Sequence, residues 1–191
     1  EDAVALEEGD EEQDFELDIA VVHLPHIANF DDFDPLKGQA GVRLRFVRFA
    51  QELGSPDAVI LPGTKATLSD LNWMRQFGWE EAVQRAYAAG SEVVGICGGF
   101  QILGRTLEDP DGVEGKAGEG AEGLGLLPVR TRFNAEKQTH RVRLQRADGS
   151  QLAGYEIHMG QTEREQGCPP FGILVERGGR EVSIADGAVG T

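Results

Sequence analysis

The chain of 191 residues has only two cysteines, Cys97 and Cys168, so it carries no disulfide framework. That scarcity points to a reducing, cytoplasmic setting. No apolar run approaches the length of a membrane span, and no leader pattern opens the chain, so neither a spanning segment nor a signal peptide is expected. Basic residues are outnumbered, 18 against 33 acidic, and form no patch, which argues against a nucleic-acid partner. Histidines number four, and the pair His23 and His26 lacks an acidic or cysteine partner at ligand spacing. No metal site is expected. The glycine-rich stretch 115–125 is not followed by Lys-Ser/Thr, which excludes a phosphate-binding P-loop.

What is present is unevenly spread. Residues 1–18 hold ten acidic side chains and no basic one, although the whole chain has a net charge of −15. Residues 1–17 therefore read as a solvated acidic tail or linker, and residues 18–191 as one domain of ordinary size. With 40% hydrophobic residues, that domain can bury a real core. The chain opens without methionine in the acidic run and closes at Gly190-Thr191 without a final helix. Both ends are expected to continue into a longer protein.

Residues 18–24 form an apolar, β-branched run, read as a buried strand. Residues 42–47 alternate apolar and basic, as a half-exposed strand does. Residues 57–61 form a second buried strand that ends in Pro62-Gly63-Thr64. Helical spacing follows over 67–76 and 79–89, with Thr67 or Ser69 as caps. Residues 92–96 form the third buried strand, and a helix is expected over 100–107. Short apolar strands alternating with helices predict a three-layer α/β fold: a mostly parallel central sheet flanked by helices. Residues 108–123 read as a loop. Strands at 124–133, 137–144, 152–158, 173–176 and 181–185 predict a more antiparallel C-terminal portion.

The most informative residue is Cys97, in Gly95-Ile96-Cys97-Gly98-Gly99. A nucleophile on a sharp strand-to-helix turn needs small residues two positions before and after it. The helix that follows is expected to lower the thiol's pKa, and the Gly98 N–H is placed to stabilise an oxyanion. Ligands of parallel sheets bind beyond the strand C-termini, and both the Pro62-Gly63-Thr64 loop and Cys97 fall on that edge. A thiol nucleophile needs a base. The candidates are His23, His26, His140 and His158. His158 ends a strand and can face a cleft; a satisfied structural histidine is the competing reading. Without a nucleotide or metal pattern, the elbow suggests hydrolysis or acyl transfer through a thioester.

The segment Gly95-Ile96-Cys97-Gly98-Gly99-Phe100-Gln101 resembles the elbow of class I glutamine amidotransferases, whose fold is flavodoxin-like. Further blocks are similar to the cobyric acid synthase branch: Leu24-Pro25-His26-Ile27-Ala28-Asn29-Phe30-Asp31-Asp32-Phe33-Asp34-Pro35-Leu36, Ile60-Leu61-Pro62-Gly63-Thr64-Lys65, Asp70-Leu71-Asn72-Trp73, Gly123-Leu124-Gly125-Leu126-Leu127-Pro128 and Tyr155-Glu156-Ile157-His158-Met159-Gly160. The resemblance implies a glutaminase half that feeds ammonia to an N-terminal, ATP- and magnesium-dependent synthetase domain absent from this chain. That domain amidates corrin carboxylates. No cofactor is implied for this chain itself. Cys97 would attack glutamine, Gly63 and Gly98 would supply the oxyanion-hole N–H groups, and Gln101 would contact substrate. The family's base histidine belongs to a later Gly-Thr-Tyr-Leu-His-Gly motif, whose first two positions match Gly190 and Thr191. His158 lies in a different block. Two other readings stand beside this one: a related amidotransferase subunit of the lipid II type, and a binding remnant of the same fold that has lost its chemistry.

Overall fold

A computed structural model describes residues 15–190; the acidic run 1–14 and Thr191 lie outside the described residues. The N-terminal half is built on four strands: β1 (Leu17–Val22), β2 (Val42–Val47), β3 (Ala58–Leu61) and β4 (Glu92–Gly95). All pair in parallel, in the order β2-β1-β3-β4. β1 is central, and Ala20, Val21 and Val22 are fully buried, which explains its unbroken apolar run.

Between β3 and β4 lie α2 (Thr67–Gln76) and α3 (Trp79–Ala88). α3 starts after Gly78, whose φ of 75° makes the left-handed corner, and buries Trp79, Ala82, Val83 and Ala86 along one helical stripe. α4 (Gly98–Leu103) follows β4. These three helices pack Leu71, Met74, Trp79 and Ile102 against Ala20, Val22, Val59 and Leu61, forming the main core. The other face is thinner. There Ile19, Val21 and Ile60 pack on Phe33, with Leu36 of α1 (Asp34–Lys37) beside them. This cover does not reach β4, an edge strand, where Val94 and Ile96 are 45% and 40% exposed.

The C-terminal half is a mixed sheet of β5 (Thr106–Asp109), β6 (Glu119–Glu122), β7 (Val129–Gln145), β8 (Gln151–Arg164), β9 (Gly172–Arg177) and β10 (Arg180–Asp186). Its order is β10-β9-β7-β5-β6, with β8 on β7. Only β5 and β7 pair in parallel. The α/β class, the parallel sheet and the antiparallel C-terminal portion agree with the sequence reading.

Three local expectations are corrected. The helix expected over 100–107 stops at Leu103, because Gly104 turns extended and packs against Val129, and Thr106 opens a strand. The loop expected over 108–123 contains β6, which closes on β5. The strands expected at 124–133 and 137–144 are one long β7 from Val129, with a register irregularity between Arg132 and Lys137.

Candidate active site

Cys97 occupies the turn between β4 and α4 with φ 51° and ψ −113°. Among the described residues it is the single non-glycine residue with positive φ. Such a conformation costs of order 1–3 kcal/mol and persists only where its surroundings impose it. Here the imposition is steric. A Cβ on Gly95 would lie 2.6 Å from the Phe100 Cα, and one on Gly99 would lie 2.1 Å from the Leu61 carbonyl oxygen. A Cβ on Gly98 would lie 2.5 Å from the Thr64 Cγ2. The glycines let α4 press onto the end of β3, and the cysteine is left to take the strained corner.

The loop after β3 forms one wall. A Cβ on Gly63 would stand 3.6 Å from that of Cys97, so the two residues are in contact. The Gly63 carbonyl accepts the Ala28 N–H at 2.8 Å, and Lys65 N–H donates to the His26 carbonyl at 3.0 Å. The Gly63 N–H has no backbone or side-chain acceptor among the described residues. The Gly98 N–H, the first of α4, favours the charged form of the Cys97 sulfur. Below the loop, the fully buried Asp70 accepts from His26 Nδ1 at 2.7 Å and from the Thr64 hydroxyl. The segment 24–30 thus braces the Gly63 loop, and His26 is one of the braces.

β8 forms the opposite wall, and it does so with its backbone. The Cys97 thiol donates to the Ile157 carbonyl at 3.5 Å, and Gln101 Nε2 donates to the Met159 carbonyl at 3.4 Å. Gln101 lies one helical turn after Cys97 and is buried. Its amide oxygen faces the Thr67 hydroxyl at 3.4 Å. The Thr67 N–H in turn donates to Glu114 Oε2 at 2.6 Å.

Burial pushes the Cys97 thiol above its ordinary pKa; the Gly98 N–H opposes that rise and the Glu114 charge adds to it. This corrects the expectation of a lowered value. A helix of six residues offers little dipole, and desolvation of the sulfur at the foot of the elbow outweighs it although the residue as a whole is exposed. The resting nucleophile is therefore a thiol that needs a base.

His158 lies between the two wall carbonyls in sequence, but its ring has other partners. Nε2 faces Glu156 Oε1 at 2.9 Å and Nδ1 faces the Gly160 carbonyl at 3.1 Å. Glu156 also accepts two bonds from Arg177, at 2.6 and 2.9 Å. Burial alone would raise the Glu156 carboxyl, but Arg177 and His158 hold it below its ordinary value. Among the described residues no hydrogen bond joins His158 to Cys97. His23 packs on Phe30, His140 bonds Gln138, and the Cys168 thiol lies 3.8 Å from the Pro169 carbonyl.

The structure thus gathers Cys97, Gly63, Gly98 and Gln101 at one sheet edge. It adds Thr67, Glu114 and the carbonyls of Ile157 and Met159, which sequence reasoning missed. Backbone carbonyls leave no trace in a sequence, and Glu114 stands in a stretch whose glycines and acids read as loop.

Comparison with known proteins follows the same line. The family model of the CobB/CobQ-like glutamine amidotransferase domain matches residues 18–191. The chain belongs to that family. It is 48% identical over 198 residues to the cobyric acid synthase of Pelotomaculum thermopropionicum and 48% identical over 193 residues to that of Roseiflexus castenholzii. Each alignment covers 99% of this chain but only 38% and 39% of those relatives, so the chain spans about two fifths of their length. Among solved structures, a glutamine amidotransferase superposes with a TM-score of 0.58 at 19% identity, covering 88% of this chain and 87% of its own. PurLQS from Thermotoga maritima gives 0.62 at 17% identity, covering 91% and 82%. At those identities the likeness is one of fold. The CobB/CobQ-like domain thus places its elbow cysteine between the braced Gly63 loop and the backbone of β8. No helix among the described residues is long and apolar enough to cross a membrane.

Proposed function

We propose that this domain is the glutaminase part of a cobyric acid synthase. The observation that carries the reading is the strained Cys97 in contact with Gly63, whose N–H has no acceptor among the described residues, followed directly by the Gly98 N–H and with Gln101 one turn away. Cys97 loses its thiol proton to a base, and the sulfur attacks the side-chain amide carbon of glutamine. The two glycine N–H groups stabilise the resulting oxyanion. The C–N bond breaks as the nitrogen takes a proton, ammonia leaves, and a thioester remains. Water then attacks the thioester, releasing glutamate and restoring the thiol.

The ammonia serves an ATP- and magnesium-dependent synthetase region of the longer protein, which amidates carboxylates of a corrin in cobalamin biosynthesis. The names and lengths of the relatives support a longer cobyric acid synthase, and ATP and magnesium are what the family resemblance implies. By the family resemblance, the base is the histidine of the motif that begins at Gly190-Thr191, in a Cys–His dyad. The ring contacts of His158 favour that reading over His158 itself.

The test uses the full-length protein with glutamine or ammonium as nitrogen source. Cys97→Ala is expected to abolish amidation from glutamine and spare amidation from ammonium. Loss of both in a folded variant would overturn the division of labour.

A further inference from the structure

Glu114 lies 17 positions past the cysteine in sequence, on a loop that carries no elbow or oxyanion residue, yet it reaches the site. Asp109 explains how. Its carboxylate is fully buried and accepts the N–H groups of Val113, Glu114 and Gly115 at 2.7, 2.8 and 2.9 Å. Three successive backbone donors on one carboxylate fix the segment 113–115, so the Glu114 side chain leaves from a rigid base.

That side chain ends on the first turn of α2. The N-cap residue there is Ala66, which has no side-chain oxygen to accept the free N–H groups. Glu114 accepts the Thr67 N–H at 2.6 Å. It acts as a cap supplied from a distant loop, and it sets where Thr67 sits. The Thr67 hydroxyl meets the Gln101 amide oxygen at 3.4 Å. The orientation of that amide is not free, because turning it over would set its oxygen against the Met159 carbonyl, which now receives Nε2 at 3.4 Å. Glu114, Thr67, Gln101 and Met159 therefore form one chain of contacts, ending on the strand whose Ile157 carbonyl faces the sulfur.

We propose that Glu114 is a positioning residue of the glutamine site: by holding the Thr67 N–H it fixes Thr67, and through Thr67 the Gln101 amide that meets the substrate. The inference rests on the glutaminase reading above. An activating role fits less well, because a negative charge near Cys97 works against thiolate formation. What Glu114 gives the site is geometry, and misplacement by about 1 Å in such a shell is worth up to about a hundredfold.

The experiment labels Cys97 in the full-length protein with two probes. 6-Diazo-5-oxo-L-norleucine needs glutamine recognition; iodoacetamide needs only the thiol. Labelling of the wild type by the first probe tests the glutaminase reading, and its absence would sink that reading separately. Given wild-type labelling, Glu114→Ala is expected to slow the glutamine-shaped probe about tenfold or more while leaving iodoacetamide labelling equal or faster. Glu114→Gln keeps an oxygen acceptor for Thr67 and is expected to stay within about threefold of wild type for the first probe. Thr67→Val, which keeps the N–H but loses the hydroxyl, is expected to slow the first probe alone. Unchanged analogue labelling in Glu114→Ala overturns the proposal. So does an equal loss of both probes in Glu114→Ala and Glu114→Gln, which would make Glu114 a residue of general stability.

Discussion

The thiol of Cys97 donates to the carbonyl of Ile157 across 3.5 Å, so the resting nucleophile is parked on the backbone of β8 as a protonated group. Burial and the Glu114 charge favour that form, against the Gly98 N–H. The rate of iodoacetamide labelling at Cys97 in residues 1–191 should therefore reach half its maximum above the ordinary thiol value of about 8.5. Glu114→Gln removes a negative charge and should move that midpoint down. A wild-type midpoint well below 8 would mean that a cation or dipole outside the described residues dominates the sulfur.

The φ of 51° at Cys97 gives a second expectation. Cys97→Gly should be more stable than Cys97→Ala by about 1 kcal/mol, because glycine takes this conformation without a Cβ clash. Chemical denaturation of the two inactive variants measures the difference. Equal stability would show that the turn relaxes once the sulfur is gone.

The same turn shows what a sequence can and cannot tell. Gly95 and Gly99 mark the elbow because no other residue fits: a Cβ would fall 2.6 Å from the Phe100 Cα in the same turn and 2.1 Å from the Leu61 oxygen at the end of β3, and a backbone clash of either kind leaves a glycine in the sequence. The parallel strands were legible for a similar reason, since burial on both sides of β1 demands an unbroken apolar run. The end of α4 was not legible. Residues 100–107 keep apolar spacing, and only the approach of Val129 to Gly104 shows that the helix must stop. Asp109 and Glu114 were lost in a stretch of turn-forming residues, because their bonds are to backbone N–H groups, which every residue owns. His158 stood out for its residue type, whereas the wall facing the thiol is made by the carbonyls on either side of it.

Gly99→Ala should be strongly destabilising. Its Cβ would fall 2.1 Å from the Leu61 oxygen and 2.7 Å from the Pro62 oxygen, both backbone atoms that cannot swing aside. A loss of about 1–3 kcal/mol or more is expected in thermal or chemical unfolding. Gly63→Ala is the control, because its nearest neighbours would lie at 3.6 Å or beyond. Wild-type stability in Gly99→Ala would mean that α4 is not seated on β3 as described.

Asp109 predicts a pH-dependent stability. Burial alone would raise its pKa, but the N–H groups of Val113, Glu114, Gly115 and Gly112 hold it below the unfolded value of 3.8. A folded pKa below the unfolded one means that the charge stabilises at neutral pH, and that this is lost as pH falls through the folded value. Asp109→Asn should therefore lower the melting temperature at pH 7, by the equivalent of about 1–3 kcal/mol for the donors left poorly paired. The gap should narrow toward pH 3. A constant gap from pH 7 to pH 3 would assign the loss to shape and not to charge.

The last prediction concerns the base. A base must offer a ring nitrogen lone pair to the thiol, directly or through one water. Both ring nitrogens of His158 instead face oxygen acceptors, Glu156 Oε1 and the Gly160 carbonyl, and Arg177 anchors Glu156 from the other side. Freeing the ring for catalysis would break its contact with Glu156 and leave that carboxylate to Arg177 alone. Three proteins decide the matter by their glutamine hydrolysis rates: residues 1–191 alone, the same chain with His158→Ala, and the full-length protein. The first should be slow, because attack, departure of ammonia and deacylation all need a proton carrier. The second should match the first within a few-fold, any small loss coming from the loosened Glu156 and Arg177 pair. The third should be faster by about a hundredfold or more, the usual worth of a positioned acid–base group. Full activity in the short chain that vanishes with His158→Ala would make His158 the base, and would require its ring to leave Glu156 when glutamine binds.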